Sequence, residues 1–230
     1  MRKNNQYYVR KTHRWLGVII GVQFLFWTIS GLYFSWTDID EIHGDHFIEE
    51  HRNHTAAIGI LPILDSTVQI NDISLRFIGE QSYFFINDSL LIHSQTGLKK
   101  NGVTKKEAES IARKHVIKQY EIKSSEMLTE VGSHHEYRGR PLPVWEIEFD
   151  SPENLTAYVS QRDGSFQRVR HRAWRWFDFL WMSHTMDYEG RDDFNNWLLR
   201  IFSVFGLLTV LSGFTLFFMT NKKRIKKKAL

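Results

Sequence analysis

The 230-residue chain contains no cysteine. This absence excludes disulfides, thiolate zinc sites, cysteine-ligated iron–sulfur clusters, c-type haem attachment and cysteine nucleophiles. Any metal must therefore be held by histidine, carboxylate or neutral oxygen ligands. The chain also lacks a G-x-S-x-G elbow, an H-E-x-x-H zinc motif, a Walker A loop and a dinucleotide fingerprint, so none of these motifs identifies an activity.

Charge is missing from residues 15–36, and residues 197–220 carry only Arg200, near their start. The first stretch, as a helix, rises about 33 Å, which is enough to cross a bilayer core of about 30 Å. We therefore predict two transmembrane helices, 15–36 and 197–220. A cleaved signal peptide is the alternative for the first, since a basic stretch precedes it, but its apolar run exceeds the usual length of about 7–15 residues and no A-x-A-like cleavage site follows.

Acidic residues are missing from both ends of the chain. Five Lys or Arg lie in residues 1–14 and seven lie beyond residue 196, whereas all 26 Asp and Glu lie between the apolar stretches. The middle segment therefore carries −8 although the whole chain carries +4. The positive-inside rule predicts that the tails, 1–14 and 221–230, are cytoplasmic and that residues 37–196 lie outside. The basic tails indicate the lipid bilayer as a partner and no nucleic acid.

The segment between the apolar stretches predicts an α+β domain. Thr104 and Glu107 form a capping box at the start of a helix. Strands are predicted after this helix at 144–149, 155–161 and 166–169, and earlier β-rich runs, at 73–79, 82–87 and 90–94, suggest a second, degenerate copy of the sheet. The predicted fold class is a membrane α+β protein, with two transmembrane helices flanking an extracytoplasmic domain that has a helix on a small antiparallel sheet.

An aromatic stretch at 173–186 predicts an interfacial helix before the second span. Its periodicity places four residues on one face: Phe177, Leu180, Trp181 and His184.

Two histidines, His13 and His184, are predicted to lie at opposite faces of the membrane. His13 stands over a face of small residues that includes Gly17 and Gly21, which suits an axial haem ligand or a close helix contact. The alternative for both histidines is a structural role on a packing face. Helix rise separates them by about 33 Å, so they cannot bind one iron. Bis-histidine ligation would need a homodimer, a partner subunit or a ligand from the exterior segment.

The densest set of metal-ligand side chains follows the first span: Asp38, Asp40, Glu41, His43, Asp45 and His46, with His51 and His54 after it. If the first helix continues outward, Asp38, Glu41 and Asp45 share one face, and His43 and His46 share another. Imidazole with carboxylate suits a divalent transition metal. The alternative is a solvated, acidic helix extension.

Several stretches, taken in their order along the chain, are similar to those of a known family. They are KTHRWLGVIIGV and WTISGLYF, the helix TKKEAESIARKHV, the strands VWEIEFD and LTAYVSQRDGSF, and WMSHTMDYEGRDDFNNWLLRIFSVFGLLTVLSGFTLFF. Together they resemble the PepSY-associated transmembrane family of bacterial inner-membrane proteins, over both spans and most of residues 104–220. The resemblance implies a periplasmic PepSY-like module at 104–170 and an inner-membrane location.

Larger relatives in that family include reductases of siderophore-bound iron, which pass electrons through b-type haems. The resemblance implies haem b bound by His13 and His184, and electron transfer or ferric-chelate reduction in iron or other metal acquisition. This chain departs from the larger pattern, with two spans rather than four and no further intramembrane histidine. Two alternatives are a membrane-tethered interaction module, inhibiting peptidases or aiding assembly, and a metal-binding accessory protein.

Overall fold

The computed structural model of the protein describes residues 5–49, 69–117 and 120–228, with the backbone alone for Asn5 and residues 221–228. The chain divides into two compact units. One comprises Met1–Thr37 with Phe177–Leu230, and the other comprises Asp38–Trp176.

The first unit is built on two long apolar helices, α1 (Asn5–Trp36) and α5 (Trp197–Lys228). Each contains a stretch long and apolar enough to cross a membrane, Gln6–Trp36 and Trp197–Thr220. Only 11% and 6% of their most apolar windows are buried, so neither is the covered core helix of a folded domain. Both helices extend past the predicted spans into the basic tails.

The two long helices pack directly against each other. Ile20 of α1 and Phe202 of α5 are buried in one cluster with Met186, and Trp27 meets Phe202 edge-on with 5.2 Å between ring centroids. The aromatic helix predicted at 173–186 is confirmed as α4 (Arg172–Thr185).

The second unit contains two small antiparallel sheets, which confirms the α+β prediction. The first sheet, in the order β1-β2-β3-β4, comprises β1 (Ile73–Ile78), β2 (Gln81–Ile86), β3 (Leu90–His93) and β4 (Lys99–Lys100). The second, in the order β5-β6-β7-β8, comprises β5 (Ile122–Leu128), β6 (Val144–Phe149), β7 (Thr156–Ser160) and β8 (Phe166–Arg170). The suggested second sheet is therefore present, whereas β5 and β4 were not predicted.

Helix α3 (Lys105–His115) begins where the capping box predicts. The Thr104 hydroxyl accepts from the Glu107 amide, and the Glu107 carboxylate accepts from the Thr104 amide. One face of α3 is buried through Ala108, Ile111 and Ala112. It joins one core that draws residues from both sheets, among them Phe85, Leu91, Ile147 and Val159.

An ion pair links the two sheets at the edge of this core. Arg76 of β1 donates from Nε to the carboxylate of Asp163, in the turn between β7 and β8, at 2.7 Å. Asp163 is 5% exposed. Burial alone raises its pKa, but hydrogen bonds from Ser160, Arg76 and Ser165 outweigh burial and hold the pKa below its usual value.

We predict that Asp163→Asn lowers the free energy of unfolding by about 1–3 kcal/mol at pH 7. Because the folded pKa is depressed, the stabilisation is present above a pH of about 4 and is lost as the pH falls through the folded pKa. Denaturant unfolding of the full chain in detergent at pH 7 and pH 3 measures the loss of unfolding free energy and its dependence on pH. Asp150→Asn, at an exposed carboxylate, is the control, and an equal loss at both pH values would contradict the prediction.

Candidate functional site

His13 of α1 is hydrogen-bonded to Ser212 of α5, with 2.8 Å between Nδ1 and Oγ. The Ser212 hydroxyl also lies 2.7 Å from the carbonyl oxygen of Thr209 in its own helix. Since a hydroxyl has one proton and a carbonyl can only accept, Ser212 donates to Thr209 and accepts from His13. In the neutral imidazole, Nδ1 therefore carries the proton and Nε2 presents a lone pair. Gly213 makes room for the ring, because a Cβ there would lie 3.3 Å from its Cε1 atom.

His184 of α4 repeats this arrangement with Ser30 of α1. Its Nδ1 atom lies 2.8 Å from the Ser30 hydroxyl, and that hydroxyl lies 2.8 Å from the carbonyl oxygen of Phe26. By the same reasoning, Ser30 accepts from Nδ1–H and the Nε2 lone pair is free. Burial lowers the pKa of His184, which favours the neutral imidazole that a metal requires.

Aromatic residues of α1 surround His184. Trp27 donates from Nε1 to the carbonyl oxygen of His184 at 2.7 Å, and its ring stacks on the imidazole at 5.6 Å. Phe34 contacts the imidazole edge-on at 5.6 Å and also meets Phe177 and Trp181 at 4.8 and 5.8 Å. The prediction that Phe177, Trp181 and His184 share one face is confirmed, and that face packs on α1.

The loop between α4 and α5 fixes the end of α4 that carries His184. Asn196 donates from Nδ2 to the carbonyl oxygen of Thr185 at 3.0 Å and accepts from the amide of Leu199 in α5 at 2.8 Å. The Asp187 carboxylate accepts backbone amides of the same loop, including that of Asp193 at 2.9 Å, and these bonds lower its pKa. One amide side chain thus ties α4 to the first turn of α5.

Both histidines have the hydrogen-bonding pattern of a metal ligand, with Nδ1 bonded to an oxygen and Nε2 free. Metal-bound histidine typically bonds its other ring nitrogen to an oxygen, which fixes tautomer and ring orientation. Neither Nε2 atom has a hydrogen-bond partner in the part of the chain that the structure describes, and α1, α4 and α5 contain no other histidine. Each position therefore offers one axial ligand that suits haem iron.

The two histidines occupy different levels of the helix pair. His184 bonds Ser30, which follows His13 by 17 residues on α1, so helix rise separates the two levels by about 25 Å. This is less than the 33 Å expected, because α4 packs back along α1, which brings His184 to the level of Ser30. The conclusion that one iron cannot bind both histidines is unchanged.

The glycine face beside His13 is not covered by α5. A Cβ built at Gly17, Gly21 or Gly31 meets no atom within 4 Å among the residues that the structure describes. The helix or flat ligand expected on this face is therefore not α5, and no described residue covers the face at these glycines.

The first helix does not continue outward beyond the first span. Helix α1 ends at Trp36, and Asp38 caps a new short helix, α2 (Ile39–His43), by accepting the Asp40 amide. Gly44 ends α2 with a positive φ of 87°, and Asp45 belongs to the next, 3-10 segment. The chain turns here because Ile42 and Phe47 are buried within the second unit.

The expected metal ligands, Asp38, Glu41, His43, Asp45 and His46, do not form a site in this arrangement. No three His, Asp or Glu side chains converge on a metal position within residues 5–49, 69–117 and 120–228. His46 instead lies edge-on to His171, which donates from Nε2 toward the carbonyl oxygens of Glu41 and Ile42. His51 and His54 lie outside the described residues, and the metal site stays a prediction.

Sequence reasoning found the two histidines but missed Ser30, Ser212 and Trp27. Their bonds to histidine join residues 154 to 199 positions apart, and no local spacing reports such a pair. Comparison of the chain with protein-family models, with curated proteins and with solved structures gave no match. The PepSY resemblance therefore stays a prediction.

We predict that both His13 and His184 are Nδ1–H tautomers in the cofactor-free protein at pH 8. Long-range ¹H–¹⁵N NMR of histidine-labelled protein reports the tautomer of each ring. Ser30→Ala removes the acceptor and releases His184 alone, whereas Ser212→Ala releases His13 alone, so each variant is the control for the other. An Nε2–H tautomer at either ring in the unsubstituted protein would sink the assignment.

Proposed function

We propose that this is a bacterial inner-membrane protein in which His13 and His184 are axial haem b ligands, serving electron transfer or ferric-chelate reduction in metal acquisition. One observation carries the proposal. At two separate levels of the helix pair, a serine whose proton is already donated holds a histidine by Nδ1 and leaves Nε2 free.

The residues around each imidazole fit a redox group. A haem iron bound there supplies one-electron oxidation and reduction. Ser30 and Ser212 orient the rings, and Trp27 with Phe34 shields His184. An apolar shell of this kind limits water and sets the dielectric around a metal ligand.

Each of the two levels needs a further ligand for bis-histidine haem. Among the described residues each level offers a single histidine, so the second ligand must come from a second copy, another subunit or the exterior segment. The open face at Gly17 and Gly21 supports this, because small residues let a second helix or a flat macrocycle approach closely. We therefore propose a homodimer or larger membrane complex as the working form.

A membrane location is supported by the composition and burial of the two long helices. Large apolar side chains such as Val18, Leu25, Leu207 and Phe218 are about half exposed or more along α1 and α5. Exposure of such long apolar surfaces to water would be energetically unfavourable. Under the positive-inside rule, the basic tails support a cytoplasmic location for both ends. The domain Asp38–Trp176 would then meet a ferric chelate in the periplasm, with the acidic-histidine segment as a metal-docking element.

We predict that a cysteine at Thr96, in an exposed turn, is labelled in intact spheroplasts by a membrane-impermeant maleimide, whereas a cysteine at Asn4 is labelled only after lysis. The chain has no native cysteine, so each variant reports one position and the unsubstituted protein is the blank. Labelling of both before lysis, or the reverse pattern, would refute the topology.

We predict that the protein purified after expression with haem supply shows a b-type band in a reduced-minus-oxidised spectrum. His13→Ala and His184→Ala should each remove about half of the band, because the histidines serve separate levels. His134→Ala, in an exposed loop, is the matched control and should leave it unchanged. Absence of the band, or a band that survives both substitutions together, would end the haem proposal.

A further inference from the structure

The second sheet of the domain has an apolar face and a charged face. Along β8, Val169 points into the core shared with α3, so Arg168 and Arg170 point to the opposite face. Their cross-strand partners on β7 are Tyr158 and Thr156, which share that face. The proposed function makes no use of this charged face.

A loop adds a third guanidinium to this face. Tyr137 stacks on Tyr158 with 4.7 Å between ring centroids and lies three residues before Arg140. Burial lowers the pKa of Arg168, and repulsion from Arg140 lowers it further. Arg140, Arg168 and Arg170 form the arginine cluster.

The cluster runs from the surface inward. Arg140 is exposed, Arg168 is half-buried, and Arg170 is 6% exposed. Arg170 packs over the Trp174 ring at 4.0 Å and donates from Nη1 to the carbonyl oxygen of Val169 at 3.1 Å. The Nε atoms of Arg168 and Arg170 are buried and have no hydrogen-bond partner in the part of the chain that the structure describes.

The nearby carboxylates are already engaged. Glu136 accepts two hydrogen bonds from Arg175, at 2.6 and 2.9 Å. Glu146 accepts from the Tyr158 hydroxyl at 2.6 Å. Within the described residues, no carboxylate lies within ion-pair distance of any member of the arginine cluster.

Three neighbouring guanidiniums without a paired carboxylate repel one another, and this repulsion destabilises the folded domain. Burial, with repulsion from Arg168, lowers the pKa of Arg170 to about 9. Guanidinium donors form a planar fork that matches the oxygens of phosphate and carboxylate. A bound oxyanion would give the buried N–H groups acceptors and offset the repulsion.

We propose that the arginine cluster is a binding site for a multiply charged oxyanion that carries phosphate or carboxylate groups. The anion enters at Arg140 and is held by Arg168, while Trp174 and Arg170 form the inner wall. The same chemistry could come from a free anion or from an anionic lipid headgroup, so the experiment separates the two.

The full chain in neutral detergent is titrated with inorganic phosphate, and separately with citrate, against chloride at constant ionic strength. Thermal unfolding and calorimetry are recorded. We expect a saturable rise in Tm of about 5 °C with one or both anions. Arg140→Gln and Arg168→Gln should each weaken binding about tenfold, and Arg162→Gln, at an exposed arginine outside the cluster, should not. Arg140→Gln is the variant safest for folding because its side chain is exposed.

A parallel measurement compares nanodiscs of phosphatidylglycerol with nanodiscs of phosphatidylcholine. Stabilisation by free phosphate or citrate supports a soluble anion. Stabilisation by phosphatidylglycerol alone, lost in Arg140→Gln, supports a lipid headgroup. Equal Tm values in all anions and lipids, or equal affinities in the variants and the unsubstituted protein, would overturn the proposal.

Discussion

The single proton of a helix serine constrains the arrangement of both histidines. Ser30 and Ser212 each donate to a carbonyl of the preceding turn, as helix serines without water commonly do. Their oxygens are then acceptors only, and an imidazole that meets them must donate. Because the donating atom is then Nδ1 in both cases, the tautomer and the free Nε2 lone pair are consequences of one interaction. Moving either helix by one residue would remove both together.

The elements that the sequence predicts well are those with a strong local signal. The two apolar helices are set by composition, and α3 by its Thr104–Glu107 capping box. Strand β5 was missed because Ile122–Leu128 is mixed, with Ser124, Ser125 and Glu126 in its middle, and lacks the apolar–polar alternation of a half-buried strand. It forms through its pairing with β6, a contact that no local window contains.

The residues of the candidate site also differ in how much local sequence signal they carry. His13 and His184 stand out in the sequence by composition and position. Their serine partners depend on the register of α1 against α5 and α4, which the two ends of the chain determine together. The expected acidic-histidine face had only local information behind it. It required α1 to continue outward, whereas burial of Ile42 and Phe47 in the domain stabilises a turn at Gly44 instead.

Net charge conceals the internal organisation of the domain. The segment between the apolar helices carries −8, yet its second sheet presents arginines on the face opposite α3. The strand β8 explains this, since its alternation puts Val169 in the core and leaves its neighbours, both arginine, on the other face. Glu136 and Glu146 reach the same face, but Arg175 and Tyr158 already occupy them. A charge sum over 160 residues therefore predicts orientation in a membrane, whereas local pairing decides where an anion binds. Orientation in a membrane depends on the charge of whole segments, whereas binding of an anion depends on which carboxylates are free.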